Sequence, residues 1–121
     1  PAPFAGPEEF RPLASRCFQR SQDNYEYRLC PFHNVTQKES STRWNAFWGI
    51  LGIWGHWTVA DGNYHAMHYT DGTDCGSGLA RRIDVELKCG EDDITRVEEP
   101  NTCEYLMTLT CPEACSTYAL L

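Results

Sequence analysis

Three polar side chains, Gln37, Arg81 and Tyr105, fall at inward-facing positions of predicted β-strands. Gln37 shares a strand face with Val35, and Tyr105 lies on the more apolar face of the last strand with Met107. An amide and a guanidinium, together with an acidic residue, supply the donors and acceptors that bind the vicinal hydroxyls of a sugar. Mouths of small barrels are common ligand sites, where a few polar groups fix the ligand against aromatic walls. The pattern therefore indicates a sugar site at which these side chains converge.

The inward placement of Arg81 depends on the strand that follows it. Ile83, Val85 and Leu87 alternate with charged residues, which is the period of a strand with one solvated face. Carried back along the chain, this alternation turns Arg81 toward the core, where a guanidinium needs partners. In the alternative, the strand begins at Arg82 and Arg81 bends out to solvent.

Enzymatic and metal chemistry have weaker support in the sequence. The pairs Asp92-Asp93 and Glu98-Glu99 could suggest the two carboxylates of a glycosidase. Adjacent residues on a strand face opposite ways, however, and solvated turns or strand ends explain both pairs more simply. The four histidines lack the spacing that zinc ligands use together with cysteine. We expect no metal and no cofactor.

Two hairpins position the strands around the predicted site. Asp23-Asn24 is a two-residue turn, and its antiparallel register places Cys17 directly opposite Cys30. Side chains in that position are close enough for a disulfide. Asp61-Gly62 is a second strong hairpin turn.

The whole chain has the pattern of one all-β domain. Its 121 residues suit a single core. After Cys17, short runs rich in aromatic and β-branched residues alternate with turns, which favours a sandwich or a barrel. Residues 1–12 hold four of the seven prolines, and we predict that they form an extended lead-in.

Cysteine content and charge restrict the compartment and the partners. Seven cysteines in so short a chain indicate a disulfide scaffold and an oxidising compartment, and the chain resembles a processed mature fragment. Ten basic residues against 17 acidic ones argue against nucleic acid and against an acidic membrane surface. Asn34-Val35-Thr36 is an N-glycosylation sequon, and we predict a glycan on Asn34.

Four tryptophans lie between Trp44 and Trp57, in a segment interrupted by glycines. The glycines suit a bent strand or a close-packed loop, so core packing is the simplest interpretation. A partly exposed protein-docking surface is the alternative.

Three segments carry a resemblance to a known family: Cys30–Gln37, Arg43–Ala46 and Gly49–Trp54. They are similar to mannose 6-phosphate receptor homology domains, and the match runs from Gly6 to Leu121. Within this family, the three segments resemble the lectin subunits of a phosphotransferase. Glu99–Met107 instead resembles the lectin subunits of a glucosidase.

The resemblance implies a mannose site made of a Gln, an Arg, a Glu and a Tyr. The matching positions here are Gln37, Arg81, Glu99 and Tyr105. A slip of one residue in the match would give the role of the arginine to Arg82.

The resemblance also implies a set of disulfides, of which the last two are interleaved: Cys17–Cys30, Cys75–Cys103 and Cys89–Cys115. Cys111 is then the odd cysteine, which would be a free thiol or an intermolecular link. Pairing of Cys111 with Cys115 or with Cys89 remains open at this point.

The resemblance finally implies an architecture and a role. The fold would be a flattened β-barrel of two antiparallel sheets, of the P-type lectin kind, spanning residues 13–121. The domain would bind mannose-type N-glycans without being an enzyme, alongside the catalytic alpha and beta subunits of a phosphotransferase. A homodimer of the full-length protein is expected, in the Golgi lumen or secreted from the cell. The alternatives are a glucosidase lectin subunit of the endoplasmic reticulum, or a protein-docking module with a vestigial sugar site.

Overall fold

A computed structural model describes residues 4–115 and contains eight strands and two short 3-10 helices. The elements in chain order are η1 (Glu8–Ser15), β1 (Phe18–Gln22), β2 (Tyr25–Cys30), β3 (Asn34–Glu39), β4 (Trp48–Ala60), β5 (Asn63–Thr70), β6 (Arg82–Cys89), β7 (Asp93–Asn101), β8 (Glu104–Cys111) and η2 (Pro112–Ala114). The predicted all-β, disulfide-bonded barrel is confirmed. Residues 116–121, the end of the predicted domain, lie outside the described part of the chain.

The strands form one continuous sheet in the order β1-β2-β3-β4-β5-β6-β8-β7, rather than two separate sheets. All neighbouring strands are antiparallel except β6 and β8, which pair in parallel. The parallel pair arises because β7 lies on the far side of β8, so the chain crosses over before it returns beside β6. Parallel strands need such a crossover, which no tight turn can provide.

Side chains of the first edge strand join it to the last. Nη1 of Arg20 in β1 donates a 2.9 Å hydrogen bond to the backbone oxygen of Ile94 in β7. Nε2 of Gln22 donates in the same way to the oxygen of Val97, also at 2.9 Å. These bonds satisfy backbone acceptors that an open sheet edge would expose, and the sheet becomes nearly a closed barrel.

Both predicted hairpins are confirmed. Asp23 and Asn24 have φ values of 50° and 68°, and Asp61 and Gly62 have φ values of 52° and 77°. Positive φ at both central residues defines the turn whose twist matches paired strands. The first hairpin also has the predicted register, with Arg20 opposite Tyr27.

The prediction of an extended lead-in is wrong from Glu8 onward, because Glu8–Ser15 form a 3-10 helix. Phe10 and Leu13 are three residues apart, which is the period of that helix, and both are buried in the core. Proline at position 12 does not prevent this, since its φ is close to the helical value. Residues 1–3 lie outside the described part of the chain.

Three disulfides fasten the barrel, and they are the pairs that the family resemblance implies: Cys17–Cys30, Cys75–Cys103 and Cys89–Cys115. Cys111 is free and fully buried at the end of β8. Burial raises the pKa of the Cys111 thiol to about 11.

The tryptophan-rich segment divides between the core and the surface. Trp54 and Trp57 pack against the buried ring of Phe32, with ring centres 5.0 and 5.9 Å away. Trp44 and Trp48 are 95% and 59% exposed. Trp44 lies before β4, whereas the other three tryptophans lie within it. Bulges in the pairing of β4 with its two neighbours change the face that successive side chains occupy, which separates Trp48 from Trp54 and Trp57.

Candidate carbohydrate-binding site

A pocket of about 520 Å³ brings together all four side chains that the sequence and the family resemblance select. They come from strands β3, β7 and β8 and from the residue before β6: Gln37, Glu99, Tyr105 and Arg81. Aromatic and charged side chains complete the wall, among them Tyr25, Tyr27, Glu39, Arg43 and Phe47. A polar pocket with aromatic walls suits a small hydroxyl-rich ligand.

Gln37 lies on the inner face of β3 and is only 7% exposed. Its Nε2 donates a 3.2 Å hydrogen bond to the hydroxyl of Tyr27, its direct partner on β2. This bond fixes the orientation of the amide and leaves the carboxamide oxygen as an acceptor. Burial raises the pKa of Tyr27 above its usual value.

Arg81 precedes β6, as the alternative from the sequence held, yet its side chain turns toward the pocket rather than to solvent. Its Nε donates to the Tyr105 hydroxyl at 3.3 Å. Nη1 donates to the backbone oxygens of Thr73 and Asp74 at 3.2 and 2.9 Å. The guanidinium is therefore fixed in place by its own partners before any ligand arrives.

Arg82, the neighbour that a one-residue slip would select, points away from this pocket. It is exposed and forms an ion pair with Glu104 at 3.0 Å on the outer face of β6 and β8. The geometry thus distinguishes Arg81, the residue predicted from the sequence, from the neighbour that a slip in the family match would select.

The segment between β3 and β4 is held against the site by Glu39. Its carboxylate accepts two hydrogen bonds from Arg43, at 2.5 and 2.6 Å, and one from the backbone N–H of Phe47 at 3.2 Å. The ring centre of Phe47 then lies 4.8 Å from the Arg81 guanidinium carbon, within range for a cation–π contact. The hydrogen bonds from Arg43 and Phe47 hold the pKa of Glu39 at about 2.

Glu99 stands at the edge of the pocket in β7 and is exposed. Its Oε2 accepts a 2.8 Å hydrogen bond from the backbone N–H of Cys103. That bond fixes the carboxylate beside the Cys75–Cys103 bridge, at the rim rather than against Arg81. The structure thus places three of the predicted residues on the wall and the fourth at the rim.

Sequence reasoning missed Tyr27 and Phe47. Tyr27 could have been found, because the register of β2 and β3 makes it the cross-strand partner of Gln37. Phe47 had no comparable indication. Its ring occupies the space where a Cβ on Gly49 would lie, and this proximity depends on the path of the loop.

Two further findings concern residues 4–115. No group of three or more His, Cys, Asp and Glu side chains in this range is arranged to hold a metal ion. No helix in the same range has the length and apolar character needed to cross a membrane.

The barrel, its disulfides and its polar pocket are those of a small disulfide-bonded β-barrel domain of the ligand-binding kind. Residues 3–121 match the family model described as glucosidase II beta subunit-like protein, and the chain belongs to this family. A crystal structure of the MRH domain of glucosidase II beta bound to mannose superimposes with a TM-score of 0.66 at 30% identity. The alignment covers 88% of this chain and 99% of that one.

Two curated relatives are similar in sequence. The human N-acetylglucosamine-1-phosphotransferase subunit gamma is 43% identical over all of this chain, which spans 40% of that protein. The human glucosidase 2 subunit beta is 42% identical over 88% of the chain and 20% of its own length. The chain therefore corresponds to one domain of longer relatives.

Proposed function

We propose that this chain is a non-catalytic glycan-recognition domain that binds mannose at the end of high-mannose N-glycans. The observation that carries the proposal is the preformed wall of Gln37, Arg81 and Tyr105 inside one pocket. The solved relative with mannose bound has the same fold. Gln37, Arg81, Glu99 and Tyr105 would hold the sugar.

The chemistry of the wall fits an uncharged sugar. A fixed guanidinium donates, an amide oxygen accepts, and the Tyr105 hydroxyl can do both, so adjacent hydroxyls of one ring find complementary partners. Phe47 and Tyr25 offer apolar surface for the C–H face of a ring. Glu99 at the rim accepts from a hydroxyl that remains near solvent.

Calorimetric titration of the domain tests this proposal. We expect a mannose oligosaccharide to bind with a stoichiometry of one, and a galactose oligosaccharide of the same length not to bind. Absence of binding by the mannose ligand, in a domain shown to be folded by circular dichroism, would favour the protein-docking function instead.

We further propose that the domain serves the gamma subunit of an N-acetylglucosamine-1-phosphotransferase in the secretory pathway. It would present glycans of lysosomal hydrolases to the catalytic alpha and beta subunits. The full-length protein would act as a homodimer in the Golgi lumen, from which it could also be secreted. Similarity along the full chain to the human gamma subunit supports this assignment. The family model and the 42% identity to glucosidase 2 subunit beta support a second candidate, a glucosidase lectin subunit of the endoplasmic reticulum.

Affinity purification of the full-length protein from secretory-pathway membranes distinguishes the two candidates. Co-purification of the phosphotransferase catalytic subunits is the expected result. Co-purification of a glucosidase catalytic subunit in their place would assign the chain to the second candidate. Analytical ultracentrifugation of the same full-length protein tests the homodimer.

A further inference from the structure

A second concave surface lies on the outside of the barrel, behind the candidate sugar site. It is a groove of about 370 Å³ across the outer face of β2, β3 and β4. Asn34, Thr36 and Lys38 line it from β3, because side chains of that strand alternate and Gln37 occupies the inner face. Arg28 lines it from β2, and Trp48 lines it from β4.

The groove is bordered by apolar side chains that are exposed to solvent. Trp48 stands directly opposite Lys38 and is 59% exposed. Ile53 stands directly opposite Asn34 and is 48% exposed. Two of the large exposed hydrophobic side chains of the described chain therefore lie on β4 next to β3, one near each end of the groove. Such exposed apolar surface commonly marks a binding site.

The occupant of the groove is indicated by its own lining. Asn34 belongs to the sequon Asn34-Val35-Thr36, and its side chain starts at the end of the groove beside Ile53. Lys38 lies four residues further along β3, about 13 Å away at the usual strand rise. The first few sugars of an N-glycan are long enough to cover this distance along the strand.

We propose that the N-glycan on Asn34 lies along this groove, with one sugar ring packed against the indole of Trp48. The C–H face of a sugar ring matches the apolar face of an indole, while its hydroxyl edge meets charged donors and acceptors. Arg28, Lys38 and Glu26 provide these partners along the groove. The glycan would thereby shield Ile53 and Trp48 from solvent.

This arrangement does not compete with the candidate sugar site. Gln37 points to the inner face of the barrel, whereas its neighbours Thr36 and Lys38 point into the outer groove. The attached glycan and a bound glycan would therefore lie on opposite faces of the same strand. The inference is independent of the proposed function, since it concerns a different surface.

The first test measures how accessible the glycan is in the folded protein. The chain is secreted from a eukaryotic host, and mass spectrometry measures occupancy of Asn34. An endoglycosidase that cuts between the two core N-acetylglucosamines is then applied under native conditions to the wild type, Trp48→Ala and Trp44→Ala. Excess methyl mannoside keeps the sugar pockets of neighbouring molecules occupied, so that the glycan is not protected by another copy.

We expect release from Trp48→Ala to be several-fold faster than from the wild type, and release from Trp44→Ala to be unchanged. Trp44 is the matched control because it is 95% exposed and does not line the groove. Equal release rates in all three proteins, or an unmodified Asn34, would overturn the proposal.

A thermodynamic cycle provides a second measurement, which does not depend on the access of the endoglycosidase to the glycan. Asn34→Gln removes the glycan, and its effect on the melting temperature is measured with Trp48 present and absent. A glycan that packs on Trp48 stabilises the wild type and Trp44→Ala but not Trp48→Ala. The same loss of melting temperature in all three backgrounds would contradict the packing.

Discussion

The Nε of Arg81 donates a hydrogen bond of 3.3 Å to the hydroxyl of Tyr105, and this contact joins the residue before β6 to β8, the strand that pairs with β6 in parallel. Tyr105 lies directly opposite Ile83 in the ladder, two residues beyond Arg81. With Nη1 held by backbone oxygens of Thr73 and Asp74, the guanidinium has little freedom. Nη2 has no hydrogen bond to any described residue, so its N–H groups are those available to a ligand.

We predict that Arg81→Lys weakens mannose binding by one to two orders of magnitude while the domain stays folded. A lysine ammonium cannot hold Tyr105 and the loop carbonyls and also reach a sugar, because it lacks the planar fork of donors. A lost charged hydrogen bond is worth about 1.5 to 3 kcal/mol, which gives this range of affinity. Calorimetric titration and a thermal melt measure the two effects.

Arg82→Lys is the control for that experiment, because Arg82 is exposed and pairs with Glu104 outside the pocket. Its binding should equal that of the wild type. Loss of binding in Arg82→Lys with retention in Arg81→Lys would move the site by one residue, and retention in both would refute the site.

Tyr27→Phe should reduce mannose binding about fivefold, which corresponds to the roughly 1 kcal/mol of one neutral hydrogen bond. The substitution removes the hydroxyl that orients the Gln37 amide but keeps the ring. Titration with the mannose oligosaccharide measures the change. Tyr64→Phe, which alters a tyrosine outside the pocket, should bind as the wild type does; an equal loss in both variants would argue against orientation of Gln37 as the cause.

The Glu39 carboxylate should protect the loop before β4 against mild acid. Its pKa is about 2 in the folded protein, whereas the pKa of a glutamate in an unfolded chain is about 4.3. A lowered folded pKa gives stability that is fully present above the unfolded pKa and is lost as the pH falls through the folded value. The melting-temperature difference between the wild type and Glu39→Gln should therefore be constant above about pH 5 and shrink to nothing toward pH 2.

Glu91→Gln serves as the comparison for this series, since Glu91 is an exposed carboxylate far from the loop in sequence. Its melting temperature should follow the wild type across the whole range. A Glu39→Gln difference that has already disappeared at pH 4 would show that Arg43 does not hold Glu39 as the structure indicates.

Cys111 and Cys115 should respond differently to substitution. Cys115→Ala opens the bridge to Cys89 and should cost about 2 to 4 kcal/mol, whereas Cys111→Ala trims a buried thiol and should cost about 1 kcal/mol. Chemical denaturation measures both.

In the folded wild type, Cys111 should resist alkylation at pH 8, because it is buried and its pKa is raised to about 11. Rapid labelling of Cys111, or a peptide map that shows it bridged, would reverse the assignment.

Much of the barrel was predictable because it is encoded locally. Turn residues such as Asp23-Asn24 tolerate positive φ, and they determine the register of their own hairpin and the opposition of Cys17 to Cys30. Alternation along a strand determines which side chains face inward, and it correctly placed Gln37 and Tyr105.

The tertiary structure determines the orientation of the side chains that strand alternation cannot predict. Arg81 lies just outside β6, so strand periodicity does not govern its side chain; Tyr105 and the Thr73 and Asp74 carbonyls turn it inward. The contact of Phe47 with Arg81 likewise joins segments that are distant in sequence. Local sequence determines which side chains share a face of a strand. The partners of a side chain beyond a strand end depend on contacts between segments that are distant in sequence, and no local pattern encodes those contacts.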